Sequence, residues 1–439
     1  MTYHPRENWV PGRQGHYMTR REFVRSMAVA GLAFPSLSAL LAACGDGSGA
    51  GGDAQVVIGT PANPATQPMV DSNPMIADGL PSEEGPLKLY NWDEYINLDM
   101  LDRAKQELGA DIEVTTFYNE AQAIQKLVAG EVDFDVWFPT QQTVPKSVAG
   151  QLIRPLNHSY LPNLANVWPS FQSPFYDVGS QYTVPYVLYQ TGIAWRVDQV
   201  DSADIEELEN PWEVFWNTKY KGIVGLYDDI TETLPFAMFR DGVTDLQDVS
   251  QAELDAGANA LSELVGLMNV RYSIDGSYAG IPEGRFGLHL SWAGDMVNVK
   301  YYAPTPEDAE QVRYLWPPKA ANNTQYHAMM ASDTMTVLKG GKNPVLAHKF
   351  LNWLLDYDNS LENFSFVAYQ PPQAALDPET LVADGWVPEW LESAIIRESD
   401  FDDPLAVLPR ALAGEEELAW NDAWQRAQSG ATIEPESEE

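Results

Sequence analysis

Cysteine is nearly missing from this chain, which holds a single one, Cys44, in 439 residues. A framework of internal disulfides is therefore excluded, and no second thiol exists for redox chemistry. Basic residues are scarce as well: 26 Lys and Arg stand against 63 Asp and Glu, for a formal charge of −37. Nucleic acid is excluded as a partner class, because binding a phosphate backbone needs a positive surface. A cationic ligand is permitted, although surface solvation accounts for most of the carboxylates. The six histidines are scattered, and the chain has no His-Glu-x-x-His, Gly-x-Ser-x-Gly or phosphate loop. No metal and no cofactor are expected. There is one long apolar run, Met27 to Ala43. At about seventeen residues, with Pro35, Ser36 and Ser38 inside it, it lies at the low end of what a bilayer requires.

That run has informative flanks. Arg20-Arg21 with Phe23 precedes it, resembling a twin-arginine export signal, and Leu41-Ala42-Ala43-Cys44 closes it, resembling a lipobox. Residues 1–43 are expected to be a signal peptide, with Met1 or Met18 as its start. Cys44 is expected to carry a lipid that anchors the protein on the outer side of a membrane, in the cell envelope or periplasm. Residues 44–86, rich in Gly, Ala, Pro, Asp and Ser without hydrophobic period, read as a flexible acylated linker.

The rest, from Leu87 onward, is long enough for two lobes with separate cores. Leu87–Tyr90, Ile112–Phe117 and Asp135–Phe138 have strand patterns, while Asp99–Leu108 and Ala121–Val128 place apolar residues at helical spacing. This is βαβαβ, and the pattern returns at Gly222–Tyr227, Gly287–Leu290 and Ala347–Leu355. The fold class is α/β, with largely parallel sheets flanked by helices. Four polar and aromatic groups follow strands: Trp92, Glu94 and Tyr95; Thr140 and Gln142; Asp228, Asp229 and Glu232; Trp292 and Asp295. In open α/β sheets ligands bind at that carboxyl edge. Carboxylates and tryptophans gathered there suit an organic ammonium, held by charge-assisted hydrogen bonds and by aromatic faces. Trp212 reads as packing.

Tyr90-Asn91-Trp92-Asp93-Glu94-Tyr95, Phe138-Pro139-Thr140, Val184-Pro185-Tyr186, Lys219-Tyr220-Lys221-Gly222, Asp228-Asp229, Trp292-Ala293-Gly294-Asp295 and Tyr369-Gln370-Pro371 occur in this order. The series resembles the bacterial spermidine/putrescine-binding proteins, the extracytoplasmic receptors of ABC importers. The resemblance implies a two-lobed type II periplasmic-binding-protein fold joined by a hinge, with 87–188 plus 331–372 as lobe 1 and 189–330 plus 373–432 as lobe 2. It implies no enzymatic activity, a monomer, a polyamine ligand, and a permease with its ATPase as partners. By the same resemblance Trp92 and Trp292 flank the alkyl chain and Tyr95 stands beside an amine. Glu94, Asp229, Glu232, Asp295 and Asp333 are the acidic positions, and Thr140 and Tyr369 add polar contacts. Asp295 looks more like the putrescine-type receptors. Ala331 replaces a bulky aromatic residue and Gln142 a tyrosine, so that wall is expected to be roomier or less aromatic. Arg410 finds no place in the pattern. Two other readings stay open: a binding protein or sensor for another cationic metabolite, and an exported hydrolase using paired carboxylates.

Overall fold

The computed structural model describes residues 56–130, 132–429 and 432–433. The expected signal peptide and Cys44 lie outside the described residues. Among those residues no helix is long and apolar enough to cross a membrane.

The alternation expected from the sequence is present. β1 (Leu87–Trp92), α1 (Leu98–Leu108), β2 (Ile112–Phe117), α2 (Glu120–Ala129) and β3 (Val136–Trp137) form a parallel unit in which β1 lies between β2 and β3. The sequence sets the limits of α1: Asn97 caps its start by accepting from the Asp99 amide, and Gly109 ends it with a φ of 73°. Met100, Leu101 and Ala104 form its buried stripe. Next comes β4 (Thr183–Arg196), with all of its residues buried. It is followed by β5 (Val224–Leu226), α3 (Ile230–Arg240), α4 (Gln251–Met268), β6 (Arg271–Tyr272), β7 (Leu288–Trp292), α5 (Ala293–Val297), β8 (Val312–Leu315) and β9 (Ala328–Val337). The chain closes with α6 (Pro344–Leu354), α7 (Tyr357–Val367), β10 (Ala406–Val407), α8 (Gly414–Ala427) and β11 (Thr432–Ile433).

The strands lie in the order β11-β6-β5-β7-β4-β9-β3-β1-β2. Two parallel groups, β3-β1-β2 and β11-β6-β5-β7, are joined through β4 and β9, which run antiparallel to each other. β4 is the seam. Thr183 to Gln190 pair with β9, and Thr191 to Trp195 pair with β7. The sheet is thus less uniformly parallel than the alternation alone suggests. One strand carries the chain from the first lobe into the second and another returns it, so these two must run in opposite directions.

The expectation of a free linker fails for residues 56–86, which are laid along the first lobe as a strap. Ala65 exchanges backbone hydrogen bonds with Phe175 and Val178 (2.8 and 2.9 Å). The Gln67 amide donates to the Tyr176 carbonyl, Asn73 to Ile153, and the Tyr182 hydroxyl to Pro68. Asn157 donates to the Ile76 carbonyl and to Asp78, and Glu83 accepts from the amides of Val345 and Leu346 at the start of α6. Polar composition predicts little burial, yet backbone and side-chain groups along this stretch are met by partners far away in sequence.

Trp212 is 1% exposed, packs against Phe215 and Phe236, and donates its indole N–H to the His327 carbonyl at 2.9 Å. That is packing, as the sequence suggests. Arg410 is bound to the Gln247 carbonyl and to Glu416.

Candidate functional site

Three of the strand-to-helix turns place a carboxylate in the first turn, or at the cap, of the helix that follows. Glu120 opens α2 after β2, Asp229 caps α3 after β5 with Glu232 in the first turn, and Asp295 lies in the first turn of α5 after β7. Asp229 accepts from the Thr231 amide at 2.7 Å and from the Thr231 hydroxyl at 2.6 Å. The positive ends of α2 and α3 favour the anions they carry. A fifth carboxylate, Asp333, projects from the middle of β9.

These groups form a circuit across the seam. Tyr95 donates to Asp333 at 2.7 Å, and its ring meets that of Tyr369 edge-on at 5.1 Å between centroids. The Tyr369 hydroxyl bonds to Asp295, which also accepts from Tyr227 at 2.8 Å. Tyr227 stacks on Trp292, 4.0 Å between centroids and 21° from parallel, and its hydroxyl accepts from the Trp292 amide. Trp292 borders Glu232, which accepts from Thr191 at 2.5 Å. Glu232 lies in the field of Asp229 and Asp333, and Glu120 in that of Asp229. Glu120 in turn accepts from the amide and hydroxyl of Thr140, both at 2.8 Å, and Thr140 bridges to Asp333.

Glu232, Asp295 and Asp333 are 2%, 4% and 5% exposed, whereas Glu120, Asp229, Thr140 and Trp292 keep an accessible edge. Among the described residues none of the five carboxylates has a lysine, arginine or histidine partner, and no His, Cys, Asp and Glu group could hold a metal ion. Hydrogen bonds from neutral donors oppose their burial, no cation does, and burial outweighs them. It raises Glu232 and Asp333 to about 8, Glu120 to about 7 and Asp295 to about 6, and it raises Asp229 as well. Mutual repulsion adds to this: Asp229 and Asp333 push Glu232 up, and Glu120 pushes Asp333 up. Asp333 Oδ1 and the indole nitrogen of Trp92 are buried without a hydrogen-bond partner. Groups left in this state mark a place for something else to bind.

Of the ten residues expected from the sequence, the circuit joins Tyr95, Thr140, Asp229, Glu232, Trp292, Asp295, Asp333 and Tyr369. Trp92 packs instead against Phe117, at 4.6 Å between centroids, beside the circuit. Glu94 lies half-buried in the turn after β1 with a φ of 52°. Sequence reasoning missed Glu120, although it follows a strand as the others do; it sits three residues past β2, directly ahead of the helical pattern read over Ala121–Val128. It also missed Tyr227 and Tyr189. Gly294 explains its own place between Ala293 and Asp295: a Cβ there would come within 2.4 Å of the Tyr369 ring.

The wall expected to be roomier or less aromatic carries an aromatic ring from another strand. Ala331 is fully buried, but it pairs across the ladder with Tyr189, whose ring meets Trp292 edge-on at 5.9 Å. The aromatic group comes from β4 rather than β9. Gln142 lies beside the Tyr189 hydroxyl and leaves its Oε1 buried without a partner.

Comparison with known proteins bears on this arrangement. A model of bacterial extracellular solute-binding proteins matches residues 103–359. A putrescine/cadaverine-binding protein of Pseudomonas aeruginosa is 28% identical over 300 residues, covering 66% of this chain and 80% of its own length. A spermidine/putrescine-binding periplasmic protein of Escherichia coli is 25% identical over 303 residues, 68% of this chain and 81% of the relative. Among solved structures, a putative spermidine/putrescine ABC transporter protein of Listeria monocytogenes superposes with a TM-score of 0.65 at 21% identity, covering 78% of this chain and 98% of that one. A GABA receptor shares the fold with a TM-score of 0.53 at 16% identity, 81% of this chain and 100% of that one.

Proposed function

Because the chain belongs to the bacterial extracellular solute-binding proteins, we propose that it is the polyamine receptor of an ABC importer, capturing putrescine or spermidine between its lobes for a membrane permease and its ATPase. One observation carries this reading: five carboxylates gathered from both lobes, enclosed by Tyr95, Tyr189, Tyr227, Trp292 and Tyr369, with no cationic side chain among the described residues to answer them. Ionising these acids without a partner costs several kcal/mol each, so the most buried of them hold their protons until a cation arrives. A ligand with two or more ammonium groups on an apolar chain removes that cost at both ends of the site, and its methylenes lie against Trp292 and the tyrosines.

An amino-acid-like ligand suits the site less well. Its own carboxylate would need a cationic partner, and the circuit contains none. The polyamine names of the sequence relatives agree with the chemistry. Delivery by the twin-arginine route, anchoring through Cys44 and a monomeric state belong to the same proposal.

Calorimetric titration of the protein from residue 45 onward with putrescine, spermidine and spermine tests the ligand class. Micromolar or tighter binding to at least one is expected; no binding to any would overturn the reading. Release of the full-length protein from membranes without detergent would overturn the anchor.

A further inference from the structure

The two sides of the site are built on one continuous surface of three neighbouring strands. Asp333 faces the circuit from β9, and side chains two apart on a strand share a face, so Ala331 faces it too. Directly opposite Ala331 on β4 stands Tyr189, and two residues on from Tyr189 stands Thr191, which holds Glu232 and pairs with Trp292 of β7. Tyr189, Thr191, Ala331, Asp333 and Trp292 therefore make one patch.

After Trp292, Tyr189 is the largest side chain in it. Its ring is 6% exposed and closes edge-on against Trp292, and its hydroxyl lies in the field of Glu232, Asp333 and Asp229 with Gln142 alongside. An ammonium held by those three carboxylates must sit beside this ring, and the chain leading from it must pass along the wall that the ring and Trp292 form together. With alanine as its cross-strand neighbour, the tyrosine fills the space that a pair of side chains would share.

We propose that Tyr189 is the specificity-determining wall of the site, limiting the length of amine the carboxylates of the second lobe and Asp333 can accept and so favouring short diamines over longer triamines. This inference rests on the polyamine reading. Taking the ring away opens volume that a diamine leaves empty and a longer amine fills. Because directly opposed residues in an antiparallel pair bring their Cβ atoms within about 5 Å, an aromatic ring at position 331 refills nearly the same volume.

The test is calorimetry of the unsubstituted protein, Tyr189→Ala, Tyr189→Phe and the exchange Tyr189→Ala with Ala331→Tyr, each against putrescine, cadaverine, spermidine and spermine. The unsubstituted protein is expected to bind diamines more tightly than triamines. Tyr189→Ala should move the putrescine-to-spermidine affinity ratio toward spermidine by about tenfold, the scale on which a pocket reads one or two methylenes. Tyr189→Phe keeps the wall and should change the ratio by less than about threefold. The exchange should return the ratio most of the way. If circular dichroism shows Tyr189→Ala to be unfolded, Tyr189→Leu takes its place with a shift in the same direction. An unchanged ratio in the Ala or Leu variant, or an exchange that fails to restore it, overturns the role of Tyr189. Failure of the unsubstituted protein to bind any of the four overturns the polyamine reading itself, and this inference with it.

Discussion

The carboxylates of this molecule fall into two populations that differ in sign of effect although the chemical group is the same. On the surface Asp133 lies between Lys88 and Lys342, Asp204 meets Lys219 at 2.8 Å, and Asp255 meets Arg426 at 2.6 Å. Hydrogen bonds, mostly to these cations, hold all three below the ordinary carboxylate range. In the circuit, Glu232, Asp333, Glu120, Asp295 and Asp229 have helix ends and neutral hydrogen-bond donors for help, and burial drives them up. The difference teaches that the formal charge of −37 is not one property. Most of it solvates the protein, while a handful of acids stay unanswered where a ligand would answer them.

The strongest way to break this division is to remove a circuit charge. Asp295→Asn should weaken polyamine binding by about 2–5 kcal/mol, as truncating one partner of a buried charge pair does. Calorimetry measures it, and unchanged affinity would place Asp295 outside the ligand's reach. Gly294→Ala comes next: the added Cβ forces the Tyr369 ring away from Asp295, at about 1–3 kcal/mol of stability by thermal or urea unfolding. Binding should weaken with it.

Proton linkage sharpens the comparison further. Glu232 and Asp333, at about 8 when folded, hold more protons in the folded than in the unfolded chain between their ordinary values of 4.5 and 3.8 and about pH 8. The ligand-free protein should therefore lose stability as pH rises through that window, with the loss complete above it. At pH 7 both are largely protonated, so capturing a cation must release protons. Titrations in buffers of different ionisation enthalpy should give different apparent heats at pH 7 and converge above pH 9. Identical heats at pH 7 would show that these acids are already charged. The smallest effect belongs to the surface: Asp133→Asn should leave polyamine affinity unchanged and shift the melting temperature barely at all.

Much of the fold was legible because its first elements alternate with clean periods. Met100, Leu101 and Ala104 mark α1, and the β-branched run from Ile112 marks β2. Asp229, Glu232 and Asp295 were legible as candidates because short buried strands end abruptly in polar turns. Tyr189 was hidden for the opposite reason. It lies inside β4, where every residue is buried and no alternation separates the side facing the site from the side facing the core. Asp333 is equally enclosed in β9 and was reached through family resemblance. The strap was misread because its order comes from partners such as Asn157 and Tyr182, some 80 to 114 residues away, which no local pattern can announce.

That strap also settles where a load would enter the molecule. Its hydrogen bonds run to residues between 151 and 182 and to 343–346, all on the side of the first lobe. A pull on the chain ahead of residue 56 is therefore borne by that lobe, as a moored hull takes the strain of its rope. The second lobe joins the first through β4, β9 and the stretch that follows α7, and the hydrogen bonds of the strap fall on none of the three.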